Sequence, residues 1–326
     1  MATRRQDAST PSHNTQGVQA AAQNTATDAM RTATDGAKSF ADFAKKFKND
    51  WSHHLAQALA FSLITAMVPI AILLLAIVVN FIGSLDHNAE AQLLTHITKA
   101  FPAQFPSSEF LRSAVNKLSS ASGLLTFIAV VTALLFGSRL FTLMEVCFDS
   151  IYRLQPRTGL KKNGIAIVML IVFVILIPVL VLASSVPGLV VSFLQNGPID
   201  PNPNFVSRLG GVVSSLLVSF LLFEAFYMFV PNRGERVEGF IDSARKSWVG
   251  AAVAAVVLQV MLLLFPLYIQ FFTRGYTGQI TLILVMLAFF YLFAFIILLG
   301  AEVNAYYIEG IRPNSTDLMT RASRGQ

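Results

Sequence analysis

Long apolar runs, each with few or no charges, dominate the chain between residues 56 and 306. Six of these runs reach the length of roughly 20 residues that an α-helix needs to cross the hydrocarbon of a bilayer. They cover residues 56–82, 122–147, 165–194, 209–230, 249–272 and 280–306. The pattern predicts an all-α polytopic membrane protein with six transmembrane helices in one bundle. The membrane domain is expected to cover residues 53–312.

Polar and amphipathic segments flank the apolar runs. Residues 1–36 are rich in Ala, Thr, Gln, Asn and Ser, which bury too little apolar area to order a chain, so they predict a disordered cytoplasmic tail. Residues 37–52 place Phe40, Phe43, Phe47 and Trp51 on one helical face beside several lysines. This pattern favours an amphipathic helix at the membrane surface, with a soluble helix packed on a cytoplasmic loop as the alternative. Residues 313–326 are expected to form a second cytoplasmic tail.

The segment between the first two spans has its own periodicity. Apolar residues at helical spacing over residues 83–121, interrupted by two Phe-Pro pairs, predict two short helices over the outer mouth of the bundle. Prolines lie inside three of the predicted spans and should kink them. They are Pro69, Pro178, Pro187 and Pro266.

The distribution of Lys and Arg predicts the orientation. On one side of the six spans lie 18 of these residues, on the other side five, and Arg139 lies within a span. Because positive loops stay in the cytoplasm, this split predicts that both termini are cytoplasmic, in a bacterial inner (plasma) membrane. The formal net charge of +6 fits contact with anionic lipid, since the bases lie beside apolar runs and no nucleic-acid-binding module is recognisable.

The ionisable residues inside the spans are the candidate functional residues, because a charge at membrane depth is costly and usually has a role. In the second span, Ser138, Thr142, Glu145 and Asp149 recur at steps of three or four and form one narrow stripe. Arg139 lies about 100° round the helix from that stripe. The stripe predicts either the lining for a polar headgroup or a proton path, or structural bonds between helices, with Arg139 paired to Glu224 or Glu302.

Two further carboxylates lie in later spans. Glu224 is deep enough in the fourth span to need a partner, whereas Glu302 is near the end of the sixth and could simply reach the interface. His53 and His54 have no Cys or carboxylate at metal-ligand spacing, and Cys147 is expected to be a buried structural thiol. No zinc-hydrolase, P-loop or nucleophile-elbow motif occurs, so we expect neither an enzyme nor a cofactor.

Four stretches of this chain resemble a known family. They are LAQALAFSLITAMVPIAILLLAI in the first span, GSRLFTLMEVCFDSIYRL in the second, SWVGAAVAAVVLQ at the start of the fifth and YTGQITLILVMLAFFYLFAFIILLGAEVNAYY in the last. In this order they resemble the YihY family, also called virulence factor BrkB-like and long mislabelled ribonuclease BN, over about residues 40–312. Two positions depart from the family pattern. Asp149 stands where the family commonly has Asn, and Gly278 follows Thr277 instead of a Tyr.

The resemblance implies a six-span inner-membrane protein and a role in moving lipids or other envelope components. It marks Arg139, Glu302 and Asn304 as matching motif positions. The first hypothesis is a transporter or flippase for a lipid-like substrate, with membrane lipids as its surroundings. The second is a scaffold that binds envelope proteins or a second copy of the chain. A ribonuclease is the least favoured hypothesis, and no nucleic acid is expected as a partner.

Overall fold

The computed structural model describes residues 34–83, 123–155, 157, 163–176, 203–233, 239–272 and 279–313. All regular structure in these residues is helical, as the apolar pattern predicts. Several predicted features lie wholly or mostly outside the described residues. These are the predicted tail at residues 1–36, of which only residues 34–36 are described and are helical, the predicted loop helices at residues 83–121, the third span beyond residue 176 with Pro178 and Pro187, and the tail beyond residue 313.

Seven α-helices and one π-helical turn make up the described part of the chain. The α-helices are α1 (34–49), α2 (Ser52–Gly83), α3 (Gly123–Tyr152), α4 (Asn163–Leu176), α5 (Pro203–Phe229), α6 (Phe240–Phe272) and α7 (Gln279–Val303). The π-helical turn Asn304–Ile308 follows α7 directly. Pro69 and Pro266 lie inside α2 and α6, as expected.

Four helical stretches among the described residues are long and apolar enough to cross a membrane. They are Val130–Tyr152, Gly210–Phe229, Ile241–Phe271 and Ile283–Ile308. The described part of α4 is apolar but shorter.

The described residues belong to two compact units. The described residues of Asp50–Ile311 form the larger unit, and α1 belongs to the other together with Arg312 and Pro313. Within α1, Phe43 and Phe47 have ring centroids 6.5 Å apart, while Phe40 is exposed. The role of this helix at a membrane surface stays a prediction.

Within Asp50–Ile311, the helices contact one another through small residues and aromatic rings. α2 packs against α3 and α7, and α6 packs against α5 and α7. α4 joins α3 to α5, because Leu170 of α4 covers Gly137 of α3 and the Phe173 ring stacks on Phe226 of α5 at 4.5 Å. The core is therefore an aromatic cluster between helices, in which the single cysteine, Cys147, is fully buried as predicted.

The end of α3 is set by its backbone. Arg153 adopts a left-handed conformation (φ 52°), and the Leu154 nitrogen donates to the Asp149 carbonyl at 2.8 Å. The Arg153 nitrogen donates to the Ser150 carbonyl at 3.4 Å. These bonds form a Schellman motif, which satisfies the last helical carbonyls and turns the chain sharply. The turn brings the segment after α3 back beside the acidic residues of its last two turns.

Candidate functional site

Buried and half-buried polar side chains gather at one end of the Asp50–Ile311 unit, where α3, α5 and α7 end and α2 and α6 begin. We call this group the polar layer. Its members are Ser52, Glu145, Asp149, Glu224, Asn232, Arg233, Ser247, Glu302 and Asn304. Since a polar group buried in apolar surroundings is destabilising unless it is bonded, the partners of each residue decide what the layer does.

Asn304 joins the π-helical turn to α6. Its side-chain oxygen accepts a hydrogen bond from the Gly250 nitrogen at 2.6 Å, and its side-chain nitrogen donates to the Ser247 carbonyl at 2.9 Å. Gly250 and Gly300 let the two helices approach closely, because a Cβ on Gly250 would collide with the Gly300 carbonyl and with the Asn304 amide. Small residues at a crossing with a polar side chain beside them are typical of helix pairs in membranes.

Glu224 of α5 is half-buried and lies beside α6. The Ser247 hydroxyl donates to its Oε1 at 2.5 Å, and no cation forms an ion pair with it among the residues the structure describes. Tyr227, one turn further on, is fully buried and donates to the Ile297 carbonyl of α7 at 2.8 Å. α5 is therefore bonded to both α6 and α7 through neighbouring polar side chains.

Glu302 corrects one expectation from the sequence. It is completely buried and does not reach an interface, because it accepts a hydrogen bond from the hydroxyl of Ser52 at the start of α2. It is thus more buried within the protein than Glu224, which is half-buried. Ser52 was not recognised as a site residue in the sequence, since a serine before an apolar run is an ordinary helix start.

Glu145 and Asp149 are both buried, and each contacts a segment that follows a helix: Glu145 the segment after α3, and Asp149 the segment after α5. Arg157 Nη1 lies 3.3 Å from Glu145 Oε1 and forms an ion pair with it, although no N–H of Arg157 is directed at this oxygen. The same nitrogen donates a hydrogen bond to the Val230 carbonyl at 3.4 Å. Asp149 Oδ1 accepts a hydrogen bond from the Asn232 nitrogen at 3.2 Å. These two carboxylates therefore join the end of α3 to the connection that follows α5.

Arg233 is the basic residue among the members of the polar layer, and it is buried. In the sequence it counts only as one of the loop charges. Its guanidinium lies over the Tyr152 ring at 4.9 Å. Its Nη2 is 3.2 Å from Glu309 Oε1, and its Nη1 donates to the Ser243 carbonyl at 3.5 Å. The sequence signal for this position is weak: Pro231, Asn232 and Arg233 directly follow an apolar run, which looks like an ordinary polar loop.

The remaining stripe residues of α3, Ser138 and Thr142, lie about one to two turns before Glu145. Ser138 is half-buried and its hydroxyl donates to the Leu135 carbonyl of its own helix at 3.1 Å. Thr142 is half-buried. The predicted stripe thus has a buried acidic end, Glu145 and Asp149, and a half-buried hydroxyl end, Ser138 and Thr142.

Arg139 has a different position from the other predicted residues. It is exposed, and it shares one face of α3 with Ile128, Leu135 and Val146, all within about 40° of one another at 100° per residue. These three neighbours are apolar and exposed. We call these four residues the Arg139 stripe.

The pairing of Arg139 with Glu224 or Glu302 is not found. Glu224 is bonded to Ser247 and Glu302 to Ser52, and Arg139 has no ion pair or hydrogen bond within the part of the chain that the structure describes. The physical reason is geometric. Gly137, two positions earlier, faces Leu170 of α4, so Arg139 points to the opposite side of α3.

The arrangement limits the chemistry that the described residues can perform. Within the described ranges, no group of three His, Cys, Asp or Glu residues could hold a metal ion. His53 lies against Tyr291, with Nδ1 2.8 Å from the phenol oxygen. What remains is a layer of interhelical bonds and one exposed arginine on an apolar face.

Comparison with known protein families agrees with this architecture. The profile of the family described as Virulence factor BrkB matches residues 43–324, which include every described residue of the polar layer and the Arg139 stripe. The chain is a member of the Virulence factor BrkB family. No curated protein and no solved structure matches the chain significantly. With its apolar helices, this BrkB-family protein is an integral membrane protein with several membrane-crossing helices.

Proposed function

We propose that this BrkB-family protein is a transporter or flippase-like protein for a lipid or lipid-like envelope component, and that Arg139 contacts the anionic headgroup. The observation that carries the proposal is the Arg139 stripe, an exposed apolar helix face with one arginine in it. The proposal includes no catalysed reaction and no cofactor.

The depth of Arg139 supports a role with lipid. It lies thirteen residues before Tyr152, about 20 Å along the axis of α3, and nine residues after Val130, about 14 Å. A span crosses roughly 30 Å of hydrocarbon, so Arg139 is far from both ends of its span. An arginine there costs about 2.5–3.5 kcal/mol or more unless water or an anion reaches it. The anions that a bilayer supplies are lipid phosphates, which a guanidinium binds in a bidentate manner.

We further propose six spans, an inner-membrane location and both termini in the cytoplasm. The split of 18 Lys and Arg against five supports this orientation. The helix directions agree with it, since α3, α5 and α7 end in the polar layer, where α2 and α6 begin. The polar layer then lies at the cytoplasmic end of the bundle, and the lipid-facing Arg139 stripe lies at greater membrane depth.

The test is lipid movement in proteoliposomes that contain the purified full chain. The assay follows a fluorescent phosphatidylglycerol from the inner to the outer leaflet and compares wild type with Arg139→Gln. Loss of a charge-assisted hydrogen bond of about 1.5–3 kcal/mol should slow the movement by about tenfold or more. Arg245→Gln, an exposed arginine of α6, is the matched control and should leave the rate unchanged. An unchanged rate in Arg139→Gln would refute the assigned role.

A second candidate function is a scaffold for envelope assembly proteins or for a second copy of the chain. It is favoured by a specific observation: Glu145, Arg157, Arg233 and Glu309 are all used in ion pairs within the chain. In a scaffold these charges have only a structural role. The double variant Glu145→Arg with Arg157→Glu, which exchanges the two charges, should then still bind its partners in cells. Crosslinking should recover those partners together with the chain. Under this alternative, Arg139→Gln should have no effect on lipid movement.

A further inference from the structure

The hydroxyl of Ser247 has more acceptors around it than it has hydrogens. Its Oγ lies 2.5 Å from Glu224 Oε1, 2.9 Å from the Ser243 carbonyl and 3.2 Å from the Ala244 carbonyl. A serine hydroxyl carries a single hydrogen and two lone pairs. If the hydrogen bonds a helix carbonyl, the contact with Glu224 requires a hydrogen from the carboxyl group.

The same geometry therefore fits two protonation states of Glu224. In the ionised state, Ser247 donates to Glu224 Oε1. In the neutral state, the carboxyl O–H donates to Ser247 Oγ, and Ser247 donates to the Ser243 carbonyl one turn earlier in α6. Changing from one state to the other reverses one hydrogen bond and needs no movement of the helices.

The surroundings of Glu224 allow both states. Its Oε2 is buried and has no hydrogen-bond partner among the described residues, so the ionised form is not fully bonded. The charges and titratable groups that act on it are Arg233, from the connection after α5, and Tyr227, on α5 itself. From α6 the facing group is Ser247, which is neutral. Glu224 is half-buried and lies five residues before the end of α5, so a proton has a short distance to travel from that end of the helix.

Ser247 also connects Glu224 to the contact between α6 and α7. Its carbonyl accepts the hydrogen bond from the Asn304 side chain, and that side chain accepts from the Gly250 nitrogen. A change in the direction of the Ser247 hydroxyl thus alters the same turn of α6 that Asn304 holds. Two hydrogen bonds to different groups of Ser247, its hydroxyl and its carbonyl, therefore connect the Glu224 carboxyl group to a helix crossing.

We propose that Glu224 and Ser247 form a proton-binding site, and that proton uptake there is coupled to lipid movement through the Asn304 contact. The coupling rests on the proposed transport function, whereas the proton site does not. The reaction is a simple association: the carboxylate takes one proton from water, and no bond other than the O–H bond forms.

The test is a pH titration of the purified full chain in lipid nanodiscs by infrared difference spectroscopy. A protonated carboxyl gives a carbonyl stretching band that a carboxylate lacks. The wild-type protein should gain such a band as the pH falls, and the Glu224→Gln variant should not show this band. Ser247→Ala should keep the band at a changed frequency, because it removes the hydrogen-bond partner. Asp242→Asn, a more exposed carboxylate of α6 paired with Lys246, is the control and should leave this band unchanged.

Two results overturn the proton site: a wild-type band that persists in Glu224→Gln, or a band whose frequency Ser247→Ala does not change. Gel filtration identifies any variant that fails to fold, and Ser247→Ala then supplies the second test. The pH profile of lipid movement tests the coupling, and Glu224→Gln should make it flat. An unchanged profile overturns the coupling. If wild type moves no lipid while the band behaves as expected, the transport function fails and the proton site stands.

Discussion

The side chain of Asn304 accepts a hydrogen bond from the backbone nitrogen of Gly250 at 2.6 Å, where the π-helical turn after α7 crosses α6. The same side chain donates to the Ser247 carbonyl, so one asparagine bonds two backbone groups of the neighbouring helix. The contact needs a residue without Cβ at position 250 and a carboxamide at position 304. π-Helical turns are rare and occur frequently at functional sites, which agrees with the place of Asn304 in the polar layer.

Asn304→Ala should destabilise the protein. It leaves the Ser247 carbonyl and the Gly250 nitrogen without their side-chain partner, which should lower the free energy of unfolding by about 1–3 kcal/mol. The measurement is the thermal unfolding midpoint in detergent. Asn163→Ala, at the exposed start of α4, is the matched control and should change stability by about 0.5 kcal/mol or less. Equal midpoints for the two variants would contradict the role of Asn304.

Gly250→Ala should also destabilise the crossing of α6 and α7. The added methyl group meets the Gly300 carbonyl, a backbone atom that cannot move alone, so overpacking should cost about 1–3 kcal/mol. Gly211→Ala in α5 is the control, because nothing lies within 4 Å of its added Cβ. The free energy of unfolding of this control variant should be unchanged or up to about 1 kcal/mol higher, because Ala has a higher helix propensity than Gly. A tolerated Gly250→Ala would mean that the helices are further apart than described.

The ion pair between Arg233 and Glu309 gives a third prediction. Arg233→Ala removes a cation that lies 3.2 Å from the largely buried Glu309 carboxylate, and it should destabilise the protein by about 3–5 kcal/mol. Combining it with Glu309→Gln should recover part of this loss, because the buried carboxylate charge is then gone as well. Thermal unfolding of the two single variants and the double variant measures the coupling between the residues. Arg245→Ala, which removes an exposed arginine, is the control. Strictly additive losses would show that the pair contributes nothing.

The charge distribution predicts the position of the carboxyl terminus. A green fluorescent protein fused after Gln326 should fluoresce in bacterial cells, and alkaline phosphatase fused at the same place should be inactive, because the cytoplasmic side carries the Lys and Arg excess. The opposite pair of results would place this terminus outside the cytoplasm and reverse the proposed orientation of the polar layer.

The apolar pattern predicted the helical membrane architecture well and the helix ends less well. The predicted span at residues 249–272 became α6, which already begins at Phe240. The reason is that a helix does not stop where the apolar run stops. Asp242 and Lys246 form an i,i+4 pair at 2.9 Å, which supports another two turns of helix in polar surroundings.

The partners of the charged residues could not be read from the pattern. Arg233 and Glu309 are separated by 76 positions, and only the packing of the connection after α5 brings them together. For Arg139, helical periodicity gives an angle of about 100° to the face that carries Glu145, but it cannot say which faces of α3 other helices cover. That depends on Leu170 of α4, which lies over Gly137.

The most direct test of the lipid-binding role is photocrosslinking from the lipid itself. An anionic phospholipid with a diazirine beside its headgroup is added to nanodiscs that contain the full chain, and mass spectrometry locates the adducts. Wild type and Arg245→Gln should give adducts on the Arg139 stripe, at Leu135 and Val146 above all, and Arg139→Gln should lose them. Equal labelling of this stripe in Arg139→Gln, or none in wild type, would contradict the account.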